Sequence, residues 1–289
     1  MNRTNRLRAP ATCLALLAAL ATGLWSQGPS TTNGDHLVLP HGKLLPNPPA
    51  AQIPALINTF MRNEAAFRHL LRHDYTYDES IQVDNIDDDT GKVKGTFEQI
   101  NQITFDTTDR REIVCTYCPE STLEQSGLIL TEQDLNDFFN RDFMTISLRD
   151  INDYNVRYVD HEMLGKIGTY LFEISPKRLA KGHRYFQGKV WVSDKSLQIV
   201  HSLGQAVPNF FDSHGQPINI FLPFETWRQK IDGRYWFPVF TRTDTYSEAL
   251  HARVRMLLHF TNYKRFSVGI RIVPGAAPLP TPTATPAPH

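Results

Sequence analysis

The segment from Tyr185 to Gln205 decides the fold. It reads Tyr185-Phe-Gln-Gly-Lys-Val-Trp-Val192, then Ser193-Asp-Lys195, then Leu197-Gln-Ile-Val-His-Ser-Leu-Gly-Gln205. In both halves apolar side chains alternate with polar ones such as Lys189 and Gln198, which predicts two strands that each bury one face. The short polar segment between them is typical of a hairpin turn. The segment therefore predicts antiparallel β-structure.

The same alternation recurs on both sides of this hairpin. It predicts a long hairpin from Tyr75 to Phe105 and, after it, the strands 111–117, 155–162, 169–174, 184–192, 197–205, 221–231, 235–246 and 252–263. Asp232-Gly233 is a second hairpin signal. Together these segments predict an antiparallel meander of about ten strands.

Two helices are predicted beside the sheet. Apolar residues from Ile53 to Leu71 recur at spacings of three and four, which predicts an amphipathic helix of about twenty residues. Thr131 and Asp134 form a capping box that opens a second, short helix. Its buried face is predicted to hold Leu135, Phe138 and Phe139. The predicted fold class is α+β, mainly antiparallel β: a curved half-barrel sheet of about ten strands with helices covering the concave face.

The alternation also assigns side chains to the two faces of the sheet. The apolar face is predicted to carry Phe172, Ile174, Val190, Val192, Leu197, Ile199, Val254, Met256, Leu258 and Phe260. The opposite face carries Glu173, Lys189, Gln198, Arg253, Arg255 and His259. An antiparallel sheet with this pattern is expected to have one solvated face and one face over a core or a cavity.

The composition excludes several classes of protein. The 289 residues contain 30 basic and 30 acidic side chains, without the basic excess of a general nucleic-acid binder. The hydrophobic fraction of 41% is too high for a disordered chain. The one long apolar run lies at the N-terminus, which argues against a polytopic membrane protein. A globular protein remains.

The N-terminal run predicts export. Arg3, Arg6 and Arg8 precede an apolar run from Ala11 to Trp25, the pattern of a secretory signal. A retained anchor is the alternative, but the run is short for a spanning helix. We predict a signal peptide at 1–26, a flexible linker at 27–50, a folded domain at 51–273 and a disordered Pro-rich tail at 274–289. The predicted location is the periplasm.

Three segments resemble the outer-membrane lipoprotein-sorting family, also called LolA-like, and the related half-barrel domain of RseB-like sensors. They are Tyr170-Leu-Phe-Glu-Ile-Ser-Pro-Lys-Arg178, Tyr185-Phe-Gln-Gly-Lys-Val-Trp-Val192 and Gly233-Arg-Tyr-Trp-Phe-Pro238. The resemblance covers roughly residues 53–272 and carries no catalytic residues. It implies an incomplete antiparallel barrel closed by helices around a hydrophobic cavity that holds acyl chains.

This resemblance implies a non-enzymatic carrier or binder of lipid or of lipoprotein acyl chains. Such a protein needs no catalytic group, because apolar walls alone supply the affinity. The predicted cavity residues are Phe172, Ile174, Val190, Val192, Leu197, Ile199, Met256, Leu258 and Phe260. A membrane-bound donor or acceptor protein is the expected partner. The alternative is a cell-envelope sensor or scaffold that binds a protein partner through the same fold.

Cys115 and Cys118 form the sharpest local motif. In an oxidising compartment the pair is a candidate structural disulfide. Two free thiols and a redox or metal site are the other interpretations; a Cys-x-x-Cys redox motif normally opens a helix, whereas this pair ends a strand before Pro119.

No motif predicts a catalytic site, a cofactor or a metal. The chain has no Gly-x-Ser-x-Gly elbow, phosphate-binding loop or dinucleotide fingerprint. His69 and His73 are four residues apart on the first helix, but no Glu follows either of them in the metalloprotease pattern. The acidic segment from Asp84 to Gly91 lacks the ligand spacing of a calcium loop and is better explained as a polar hairpin tip.

Overall fold

The structure is a computed structural model. It describes residues 42–106, 110–131, 134, 153–180, 184–209, 211, 214, 223–247 and 252–265. All of them belong to the unit Asp35–His289, and the other unit of the chain, Met1–Gly34, lies outside the described residues. The predicted signal peptide and Pro-rich tail also fall outside them.

The predicted first helix is confirmed as α1, Ile53–Asp74, preceded by a short 3-10 turn at Ala50–Gln52. Pro54 lies in the first turn, where its missing N–H removes no helical hydrogen bond. Arg72 and His73 lie in the last turn, where positive charge interacts favourably with the helix dipole. The side chains on one stripe of the helix are buried: Phe60, Met61, Glu64, Phe67 and Leu71.

In the part of the chain that the structure describes, ten antiparallel strands form one open sheet, which confirms the predicted fold class. The strands are β1 Tyr75–Ile86, β2 Val93–Phe105, β3 Arg111–Tyr117, β4 Tyr154–Leu164, β5 Ile167–Pro176, β6 Tyr185–Ser193, β7 Ile199–Val207, β8 Phe224–Lys230, β9 Trp236–Ser247 and β10 Ala252–Arg265. Their order across the sheet is β3-β2-β1-β10-β9-β8-β7-β6-β5-β4. The sheet is a half-barrel with β3 and β4 at its two edges.

The strand order corrects one sequence prediction. The strands do not form a single meander, because β1 lies beside β10 in a long register that runs from Tyr75↔Arg265 to Ile86↔Arg253. Two meanders, β1–β3 and β4–β10, are therefore joined through the first and last strands. Local turn and alternation signals carry no information on this pairing, which brings together residues about 170 to 190 positions apart in the sequence.

We call the face on which α1 packs the inner face, and the opposite one the outer face. Two clusters of buried apolar side chains lie on the inner face, one with Phe60 and Met61 of α1 and the other with Phe67 and Leu71. Directly paired residues of neighbouring strands share a face, so the register assigns every strand residue to one side. The helix therefore covers the same apolar face that the alternation predicts.

The outer face is only partly solvated, which corrects the expectation of one wet face. Leu171, Trp191 and Val200 are buried there as a third cluster, with Trp236 and Leu203 packed against it. The alternation is correct, since Leu171 and Trp191 point away from the inner face. Large side chains that lie flat on a strand bury one another without any covering element, and strand period alone does not reveal this.

The predicted hairpin turns are confirmed. The carboxylate of Asp232 accepts hydrogen bonds from the backbone N–H groups of Arg234 and Tyr235, at 2.9 and 2.7 Å. Gly233 has a φ of +78°, a left-handed conformation that costs least for glycine.

The acidic segment is the β1–β2 hairpin tip only from Asp87 onward: Asp87 accepts hydrogen bonds from the N–H and hydroxyl of Thr90, and these bonds lower the pKa of its carboxyl. For Asp84 the prediction of a polar tip is wrong, because this residue lies within β1, where it is fully buried and pairs with Arg255.

Thr131 and Asp134 form the predicted capping box. The Thr131 N–H donates to the Asp134 carboxylate at 2.9 Å, and the Asp134 N–H donates to the Thr131 hydroxyl at 3.1 Å. Each side chain thus satisfies the other's backbone donor, the reciprocal pattern of this motif. The predicted buried residues of the second helix, Leu135, Phe138 and Phe139, lie outside the described residues.

A segment before the helix pairs with the edge strand β4. Leu45 N–H donates to the carbonyl of His161, and Met163 N–H donates to the carbonyl of Lys43. A Cβ at Gly42 would lie 1.7 Å from the carbonyl oxygen of Met163, so this close approach requires glycine. These residues lie in the stretch whose composition predicts a linker, and their main-chain bonds cover part of one open edge of the sheet.

Candidate binding site on the inner face

The nine predicted cavity residues fall into the two inner-face clusters. Six lie in or against the cluster that contains Phe60 and Met61: Phe172, Ile174, Val190, Val192, Leu197 and Ile199. Three lie in the cluster that contains Phe67 and Leu71: Met256, Leu258 and Phe260. Eight of the nine are buried, and Leu197 is half-buried at the β6–β7 turn. The structure therefore places all nine on one face, in the same two clusters as the buried apolar side chains of the helix.

Aromatic side chains of α1 reach deep into both clusters. The Phe60 ring lies 4.9 Å from that of Phe172, centroid to centroid. The Phe67 ring meets the Phe237 ring edge-on at 5.2 Å. Tilted and edge-to-face pairs at these separations are the favourable geometries for aromatic rings. The two phenylalanines of the helix thus fill space on the inner face by packing against aromatic rings of the sheet.

One buried ion pair fastens the helix to the sheet. Both carboxylate oxygens of Glu64 accept hydrogen bonds from the Arg228 guanidinium, at 2.9 and 2.6 Å. The side chains are 1% and 4% exposed, and the guanidinium also lies 5.2 Å from the centre of the Phe67 ring. A bidentate pair of this kind fixes orientation as well as distance. The ion pair lies between the two apolar groups of the helix.

The position of Glu64 in the sequence already indicates that it is buried, although a search for apolar residues alone passes over it. Glu64 lies three residues after Met61 and three before Phe67, within the buried stripe of α1. A carboxylate at a buried helical position requires a cation opposite it. Nothing in the local sequence identifies Arg228 as that cation, because 164 residues separate the two.

A second polar attachment lies one residue earlier on the helix. The amide nitrogen of Asn63 donates to the carbonyl oxygens of Ser196 and Leu197, at 3.2 and 2.9 Å. These carbonyls belong to the β6–β7 turn, where Leu197 has a φ of +48°. The helix is therefore held to the sheet by apolar packing and by polar contacts to β8 and to this turn, and the exposed pair of Asp74 with Arg265 adds a contact to β10.

His201 is buried on the outer face, and the sequence analysis did not identify it as a buried residue. The His201 ring stacks between Trp191 and Trp227, at centroid separations of 4.8 and 3.9 Å. Burial lowers its pKa to about 3, and the positive charge of Arg242 acts in the same direction. The ring is 3.5 Å from Glu225, which also pairs with Arg242. His201 is thus neutral and structural at ordinary pH.

The two cysteines are paired in the structure. Cys115 and Cys118 form a disulfide with their Cα atoms 6.3 Å apart. The pair lies at the end of the edge strand β3, where both residues are exposed. The disulfide therefore links the end of the strand to the segment that follows it.

Within the residues that the structure describes, no group of three or more His, Cys, Asp and Glu side chains is arranged to hold a metal ion. The rings of His69 and His73 lie 4.0 Å apart on α1, as their spacing predicts.

Among the described helices none combines the length and the hydrophobicity needed to cross a bilayer.

Comparison with known proteins gives structural similarity only. No family model matches the chain, and no curated protein matches it. Its structure is similar to a DUF1329 family protein from Desulfovibrio piger, with 15% identity, 74% of this chain and 94% of that chain covered, and a TM-score of 0.38. It is also similar to a LolA superfamily protein from Nitrosomonas europaea, with 11% identity, 73% and 94% coverage and a TM-score of 0.36.

A third similar structure is described as an outer membrane lipoprotein-sorting protein domain, from Vibrio parahaemolyticus. It has 12% identity, 73% and 93% coverage and a TM-score of 0.34. With TM-scores below 0.5, the half-barrel assignment rests on the strand order and the helix of this chain itself.

Proposed function

We propose that this chain is an exported, non-enzymatic binder or carrier of acyl chains that works in the periplasm. The observation that carries the proposal is the inner face: a broad apolar surface covered by one amphipathic helix, with polar attachments at Asn63 and Glu64. A ligand that replaces the helix side chains against this face needs no catalytic group. Lipid or lipoprotein acyl chains fit this requirement.

The energetics of an acyl chain suit such a face. Each buried CH2 group contributes about 0.8 kcal/mol. The free energy that a chain of ten or more carbons gains on burial is therefore comparable to that of the apolar contacts it displaces. Phe60 and Phe67 are the side chains that a ligand would displace first, since both reach into the clusters. Binding is therefore expected to move α1 away from the sheet while the ten strands keep their pairing.

A series of chain lengths tests the proposal. The probes are octanoyl, nonanoyl and decanoyl N-methylglucamide below their critical micelle concentrations, which differ only in CH2 count. Affinity measured by calorimetry is expected to rise about fourfold for each added methylene, the equivalent of 0.8 kcal/mol. Absence of binding, or an affinity that is independent of chain length, contradicts the proposal.

The movement of α1 has its own measurement. Hydrogen exchange of the helix amides is expected to change when the decanoyl probe binds, whereas exchange in β5 and β6 stays slow. A probe that binds with no change in the exchange of the α1 amides would show that the ligand lies elsewhere.

Export is tested separately, by fractionating the producing cells and sequencing the N-terminus of the periplasmic protein.

The alternative function is a cell-envelope sensor or scaffold, and the edge strand β3 favours it. Val114 is 56% exposed, Ile113 is 37% exposed, and β3 is the last strand of the sheet order on its side. An exposed apolar edge strand is a surface to which a partner chain can add a strand. Val114→Lys is expected to weaken a protein partner of this kind and to leave binding of the decanoyl probe unchanged.

A further inference from the structure

A polar pair interrupts the apolar inner face. Glu79 of β1 and Asn101 of β2 are direct cross-strand partners, and both are fully buried, at 0% exposure. They share a face with Ile81 and Ile103, which lie two residues along the same strands and belong to the Phe67 cluster. Buried side chains of this kind normally have hydrogen-bond partners.

The charge of Glu79 is neutralised locally. One of its oxygens pairs with the guanidinium of Arg111 on β3, whose side chain is 12% exposed. The other carboxylate oxygen and the Arg111 Nε have no hydrogen-bond partner among the described residues. A ligand that carries a full charge would upset this balanced pair, so the site favours a neutral polar group.

Asn101 is the member of the group whose side chain makes no hydrogen bond at all to the described residues. Neither its amide nitrogen nor its amide oxygen has a hydrogen-bond partner among the described residues, although the side chain is fully buried. It lies between Glu79 on one neighbouring strand and Cys115 on the other. Leaving both a donor and an acceptor buried without partners costs stability that a leucine at this position would not cost.

The chemistry of Asn101 specifies the group that would satisfy it. A carboxamide presents a donor and an acceptor side by side, and its complement is a second group with an acceptor and a donor. A primary amide presents both on one edge, is neutral and is planar, whereas an ester has only acceptors. The N–H and the carbonyl of a trans secondary amide point in opposite directions, so they cannot both reach Asn101.

We propose that Asn101 is a specificity-determining residue that recognises the primary amide group of a fatty acyl amide. The acyl chain then lies over the apolar side chains next to the Glu79–Asn101 pair, Ile103 and Tyr77, which are cross-strand partners of each other. This inference rests on the proposed function and names the class of its ligand, an acyl amide in preference to an acyl ester.

Two probes with the same acyl chain test the inference, decanamide and methyl decanoate. Calorimetry on the full mature protein is expected to give about tenfold tighter binding of the amide, which is the loss expected when a buried polar group is left unpaired. In Asn101→Leu the two affinities are expected to agree within twofold. The same variant is expected to unfold at a higher denaturant concentration than the wild type.

Gln99→Leu is the matched control. Gln99 lies two residues before Asn101 on the same face, opposite Ile81, and is half-buried. This variant is expected to keep the preference for the amide. If Asn101→Leu does not fold, the ratio of the two affinities in the wild type still tests the inference.

The outcomes separate the inference from the function on which it rests. If neither probe binds, the proposed function fails. If both bind the wild type equally, the function stands and the role of Asn101 is refuted. A preference for the amide that persists in Asn101→Leu also refutes it, because the recognition would then come from another residue.

Discussion

Replacing His201 with Gln is expected to make the protein less sensitive to acid. In the folded protein burial holds the pKa of His201 at about 3, whereas the ordinary value is 6.5. Between these two pH values the unfolded chain binds a proton at this position and the folded chain does not. The free energy of unfolding therefore falls as the pH drops below about 6.5.

The size of this effect follows from the two pKa values. At pH 5 the unfolded histidine lies 1.5 pH units below its pKa, which corresponds to a loss of about 2 kcal/mol relative to pH 8. Protonation of His201 in the folded protein changes the free energy of unfolding very little until the pH approaches about 3. Below that value the full difference is reached and the contribution of His201 no longer changes with pH.

The assay is urea unfolding of wild type and His201→Gln at pH 8, 7, 6 and 5. The comparison is between the two pH slopes, so any constant change in stability caused by the substitution cancels. His259, whose pKa is also lowered by burial, contributes equally to both proteins. His69→Gln, on the exposed side of α1, controls for the loss of any histidine.

Two parallel pH curves for wild type and His201→Gln would refute the reasoning. They would mean that the folded protein accepts the proton at His201 without loss, and that the ring is not desolvated between Trp191 and Trp227. The expected result is a gap between the curves that grows by about 2 kcal/mol from pH 8 to pH 5.

Three further predictions concern the helix and the sheet. Arg228→Met should destabilise the fold by about 3 to 5 kcal/mol in urea unfolding, because it leaves Glu64 buried without a partner. The double variant Arg228→Met with Glu64→Leu should recover most of that loss, and equal losses in the single and double variants would contradict the pairing. Leu258→Ala, at a fully buried position, should cost about 2 to 5 kcal/mol by the same measurement, and a loss under about 1 kcal/mol would show that the site is not packed. Gly188→Ala should lower the melting temperature, since its Cβ would lie 2.2 Å from the carbonyl oxygen of Leu203; an unchanged melting temperature would refute that contact.

Local patterns of the sequence predicted most of the fold. The three- and four-residue spacing from Ile53 to Leu71 gave the helix, and alternation with hairpin signals gave the strands, because both depend on neighbours within a few positions. The turn at Asp232-Gly233 is a clear case, since the carboxylate binds backbone groups two and three residues away. The order of the strands depends on the β1–β10 pairing and has no local signal.

The polar features of the site were not predictable in the same way. Glu64 and Arg228 meet across 164 residues, and Arg111 reaches Glu79 across 32. Each residue alone is an ordinary charged side chain, and only the fold makes it buried and paired. Asn101 is inconspicuous in the sequence, and its complete burial becomes evident only in the folded sheet.

The most direct test of the account is native mass spectrometry of the mature protein purified from a periplasm, followed by organic extraction of whatever is bound. The account predicts discrete added masses that extract as acylated molecules. A bare protein at the mature mass, still bare after incubation with lipid vesicles, would contradict an acyl-chain binder and favour the sensor or scaffold.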